Sequence, residues 1–81
     1  MTVPIDLSVD FMDMTDDRHL VTRVIDARPG YVPVVGSYAV VCDDGADPMV
    51  ARILSIDADG IIDLQVLPGS VEAHRHVLAP A

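Results

Sequence analysis

The chain has 81 residues, 51% of them hydrophobic, with 13 acidic residues against five basic ones and a formal charge of −8. That length holds one domain, residues 1–81, with a small core, and the apolar share is too high for a chain disordered throughout. An acidic field with a pI of about 4.3 repels nucleic-acid phosphates and anionic lipid, so direct binding to either is disfavoured and a partner protein with a basic surface is favoured.

Thirteen Val and six Ile dominate the apolar residues, and all the acids but Glu72 are Asp. β-Branched residues suit pleated strands, and Asp suits turns and caps, so the composition predicts a mostly β chain. The basic residues are all arginine: Arg18, Arg23, Arg28, Arg52 and Arg75. Cys42 stands alone, which excludes an intrachain disulfide framework and points to a reducing compartment. The opening MTVPIDLSVD has neither a positive stretch nor a continuous apolar run, so no signal peptide is expected. No apolar run approaches the ~20 residues that span a bilayer. The expectation is a soluble protein of the cytoplasm, or of a particle assembled there.

Residues 1–8 read as extended, with Pro4 suited to an edge strand. Ile5, Leu7 and Val9 alternate with Asp6, Ser8 and Asp10, and Phe11–Met14 is expected to continue that strand. Thr15-Asp16-Asp17 predicts a turn. His19–Asp26 fits two patterns. As a strand it puts Leu20, Thr22, Val24 and Asp26 on one face; as a helix capped by Thr15 it makes a stripe of Leu20, Val21, Val24 and Ile25. The strand is preferred because Val, Ile and Thr crowd the segment. Arg28–Pro33 is a connector marked by Pro29-Gly30, and Tyr38–Cys42 is a short, nearly continuous apolar strand. An acidic loop, Asp43–Pro48, precedes the clearest element of all. Met49–Leu67 reads as a β-hairpin turning at Asp57-Ala58-Asp59-Gly60, with Ile62, Leu64 and Val66 on one face and Asp63 and Gln65 on the other. After Pro68-Gly69, Ser70 is a plausible N-cap for a short helix over Val71–Leu78, burying Val71, His74 and Leu78.

The chemistry-bearing residues give little. Ser55, Asp57, Asp59 and Gly60 match the early positions of a calcium loop, but the bidentate Glu that should close it is Val66, so a hairpin turn accounts for them better. His19, Cys42, His74 and His76 are metal-ligand types without metal-ligand spacing, and no metal or other cofactor is expected. Cys42 with His74 or His76 is the one nucleophile–base pair to nominate. Its thiol lies in an apolar run beside acids, which opposes activation, so no enzyme is expected. Asp43, Asp44 and Asp47, with Asp57 and Asp59, are the candidate partner-binding residues, as acids that would meet a basic surface.

Val35-Gly36-Ser37-Tyr38-Ala39-Val40-Val41 resembles the V-G-D-x-V-x-V lead-in to SH3-like barrels of the KOW and Tudor type, with Ser37 where that pattern has Asp. Ala51–Gly60 resembles their next strand and turn, and the likeness covers residues 35–67. It implies a small five-strand barrel, and ligands met by aromatic residues at one barrel end. This chain offers only Phe11, Tyr31 and Tyr38, too few to furnish a Tudor-like cage, and Tyr31 and Tyr38 join the candidate set. The fold expected is mostly β: a five-strand SH3-like barrel or a rolled antiparallel sheet, with a short C-terminal helix. The function expected is a non-catalytic interaction module, a small accessory or structural subunit of a larger homo- or hetero-oligomeric assembly, such as a virion or multi-subunit complex. The alternative is an acidic inhibitor that mimics nucleic acid in a basic groove of its target.

Overall fold

In the computed structural model, which describes residues 5–78, five strands form. They are β1 (Leu7–Ser8), β2 (His19–Arg23), β3 (Tyr38–Cys42), β4 (Met49–Ile56) and β5 (Ile61–Val66). A 3-10 turn, Glu72–His74, runs into a short helix, α1 (Arg75–Leu78). The strands make one sheet in the order β1-β3-β4-β5-β2, rolled into a half-barrel. The chain is mostly β with a short C-terminal helix, as its composition predicts.

Alternation decides β5. Ile62, Leu64 and Val66 are fully buried and Asp63 is exposed, the period of two that a strand with one wet face requires. Its turn is made by the Asp57 carboxylate, which accepts the N–H of Asp59 and of Ile61, both at 2.9 Å. Gly60, at φ 81°, supplies the left-handed residue. The pairing of β4 with β5 shifts register between Ile53 and Ser55, a bulge that bends β4 and leaves Leu54 facing out.

The continuous apolar run of β3 has a different cause. Ala39 and Val41 face the inside of the roll with Leu7, Leu20, Ala51, Ile53, Ile62, Leu64 and Val66. Val40 and its partner Val50 face the other way, yet both are buried, because Val71 covers them with Val77 and Leu78 packed alongside. A strand buried on both faces has no polar face to show.

The sheet edges, β1 and β2, meet across the seam of the roll. Leu7 pairs with Ala27, and the buried Thr22 hydroxyl donates to the Ser8 carbonyl at 2.7 Å. This seam explains why His19–Asp26 fits two patterns. The strand is real but ends at Arg23, and Val24–Asp26 turn as a 3-10 helix that carries the chain across to β1.

Other expectations needed correction. Residues 1–4 lie outside the described residues, and the strand predicted there is reduced to Leu7–Ser8. Phe11–Asp13 does not continue it; Asp10 accepts the Met12 N–H at 2.9 Å and starts a 3-10 turn instead. β1 pairs in parallel with β3, so the sheet is mixed and not wholly antiparallel. The helix begins as expected, with Ser70 Oγ accepting the Ala73 N–H at 3.3 Å, but of its predicted inward residues Val71 is buried and His74 and Leu78 are half-buried.

Candidate functional site

Strand order assigns every loop to one end of the roll. The ends of β1, β3 and β5 and the starts of β2 and β4 lie together, as the pairings of Ser8 with Cys42, Val41 with Met49, and His19 with Gln65 require. That end gathers Asp16 and Asp17 before β2 and Asp43, Asp44 and Asp47 between β3 and β4, whereas Asp10 and Asp13, after β1, line a groove along the seam with Arg23 and Asp26. Glu72, at the start of the helical segment, borders the same loop. Against them stand Arg75, paired with Glu72 at 3.3 Å, and Arg18, whose guanidinium is engaged by the Val66 and Leu67 carbonyls at 3.1 and 3.3 Å. Arg18 holds φ 64°, a conformation costly for a residue with a Cβ, and those bonds hold it there. The opposite end is closer to balance. There Arg23 pairs with Asp26 at 3.3 Å and Arg28 with Asp6 at 3.2 Å. Asp57 and Asp59 complete its acids. The molecule is electrically lopsided.

The candidate residues are therefore not one patch. Asp43, Asp44 and Asp47 share the β3–β4 loop, while Asp57 and Asp59 sit past the far end of β4, roughly 25 Å away at the rise of a strand. Within the loop the aspartates differ. Asp43 accepts the N–H of Phe11 at 3.1 Å and of Asp44 at 2.7 Å, so its charge holds the loop against the turn after β1. Asp44 and Asp47 are exposed, and their carboxylates make no hydrogen bond among the described residues. Asp57 is likewise occupied with its own turn, and Asp59 is exposed.

The two tyrosines lie apart from each other. Tyr31 packs half-buried against the inner core, with the Arg28 guanidinium 5.7 Å from its ring centre. Burial, and then the negative charge of Asp6, push its phenol above the ordinary 10.0. Asp6 in turn accepts the Val40 N–H at 2.9 Å. Tyr38 packs against the outer cluster beneath the helical segment.

At the acidic end, the Thr15 hydroxyl donates to the Asp17 carboxylate and, with the nearby His19 ring, holds its carboxyl below the usual range. Cys42 is half-buried, not the full core residue its apolar run suggests, and its thiol donates to the Asp43 and Ala46 carbonyls of its own loop. His74 meets the Pro68 carbonyl at 2.6 Å, and the His74 and His76 rings lie 6.4 Å apart. No set of three or more His, Cys, Asp or Glu side chains is placed to share a metal ion among the described residues.

Sequence reasoning missed a groove of about 680 Å³ beside the acidic loop. Phe11, Pro48, Met49 and Val71 give it apolar walls, and Asp47 and Glu72 stand on its two sides. Phe11 reaches this place because Asp43, 32 positions along the chain, accepts its N–H. No spacing in the sequence announces a contact of that kind.

The fold and this end define a small acidic half-barrel with an apolar groove set among carboxylates. Comparison with protein-family models, with curated proteins and with solved structures finds no match. None of the described helices is long and apolar enough to cross a membrane.

Proposed function

We propose that the protein is a non-catalytic interaction module, a small accessory or structural subunit that docks its acidic end onto a basic surface of a partner protein. The observation that carries this reading is the one-sided charge. Carboxylates from three separate segments converge on one end of the roll, where Arg18 is bonded to backbone carbonyls and Arg75 to Glu72. Such a field speeds encounter with a cationic surface and rejects anionic ones. The resemblance of residues 35–67 to SH3-like barrels is a further reason for this reading. A free thiol supports a reducing compartment such as the cytoplasm. The nucleic-acid mimic has less support. It needs carboxylates in rows at phosphate spacing, whereas Asp6 and Asp26 pair with arginines and Asp57 is turned into its own loop.

Native mass spectrometry of untagged protein from its own source, at low and moderate salt, tests the proposal. Recovery in a defined complex that salt weakens is expected, and Asp44→Lys with Asp47→Lys should release the chain while Asp59→Lys should not. Recovery as a free 8.7 kDa chain at both salt concentrations would overturn the constitutive-subunit reading.

A further inference from the structure

We infer that the groove between the β3–β4 loop and the start of the helical segment is a peptide-docking site. Its occupant is a partner segment that inserts one large apolar side chain and flanks it with arginine or lysine. The inference rests on the interaction-module reading and supplies the chemistry of the partner.

Two properties of the groove act together. It is an open groove of about 680 Å³, and Phe11, Pro48, Met49 and Val71 give it an apolar lining. A purely cationic segment would leave this surface wet. On either side stand the exposed carboxylates of Asp47 and Glu72, and an apolar segment without cations would gain nothing from them while drawing water away from both. The occupant that satisfies both is an apolar anchor with cationic neighbours, the pattern in which a central desolvated contact is ringed by charge pairs. Among the described residues Glu72 pairs with Arg75 alone, an exposed pair at 3.3 Å within one helical turn, so an incoming guanidinium can replace that partner at little cost. A second copy of this chain fits poorly. It would bring its own acidic end, from a molecule of charge −8, against these carboxylates.

The groove also has a setting mechanism. Asp43 bonds the Phe11 N–H and the Asp44 N–H at once, so one carboxylate couples the wall at Phe11 to the loop that bears Asp47.

Fluorescence anisotropy with short labelled peptides separates the inference from the reading beneath it. One probe carries a central leucine with arginines on both sides; the other has alanine at the centre. The leucine peptide is expected to bind about tenfold or more tightly than the alanine peptide, from burial of the larger side chain. Ala46→Trp, a substitution of an exposed groove residue, should fill the site and remove that difference while its amide spectrum keeps the pattern of the folded chain. Equal binding of the two peptides to the wild-type chain overturns the docking groove and leaves the basic-partner reading standing. Binding of neither peptide at low salt overturns both.

Discussion

Aspartates close together in the chain do unlike work. Asp57 carries two backbone N–H groups, and Asp57→Ala should lower stability by about 1 kcal/mol, whereas Asp59→Ala should change it by less than about 0.5 kcal/mol, in urea unfolding curves. The same contrast separates Asp43 from Asp44. Thr22 is the buried polar residue among the described residues, and its hydroxyl spans the seam to Ser8. Thr22→Val keeps the shape but strips a donor from the Ser8 carbonyl, and should cost about 1–3 kcal/mol in the same measurement. Tyr31 gives a pH dependence of known sign. Its phenol is harder to ionise in the folded chain than in the unfolded one, so ionisation favours unfolding. Its contribution is intact below the ordinary value of 10.0 and is lost as pH rises from there through the raised folded value. Urea midpoints across that range should fall less steeply in Tyr31→Phe than in the wild-type chain. Turn chemistry of the Asp57 kind is written in Asp-x-Asp-Gly; the bond from Phe11 to Asp43 is not, because a tertiary contact makes it.

Elements were readable where burial is simple. β5 has one buried face, and its alternation in the sequence is the alternation in the fold. β3 is uniformly apolar because Val71, Val77 and Leu78 lie over its outer face, a tertiary cause that the run itself does not state. His19–Asp26 was harder, since its first part pairs with β5 and its last part turns across the seam. No periodicity spans such a change of direction. The helical segment is four α-helical residues behind a 3-10 turn, too short to stand without its packing. Val71→Ala should therefore cost about 1–2 kcal/mol and loosen residues 72–78 ahead of the sheet. Hydrogen exchange resolved by residue is the check: amides after Val71 should exchange faster while those of β4 and β5 keep their protection.

At the scale of the whole molecule, the distribution of charge matters more than its sum. The sequence shows acids spread from Asp6 to Glu72 and gives no sign that Asp16, Asp17, Asp43, Asp44, Asp47 and Glu72 share one end. Antiparallel strands fold that spread back on itself, and the parallel pairing of β1 with β3 brings the turn after β1 to the same end as the acidic loop. Length and composition were enough for the fold class; the polarity needed the strand order. The most direct measurement is a titration of the isotope-labelled chain with an arginine-rich peptide, followed by amide chemical shifts. The account predicts shifts concentrated in residues 10–18, 43–48 and 70–72, and weakened by salt. Shifts of equal size at residues 57–60, or their absence at the acidic end, would contradict it.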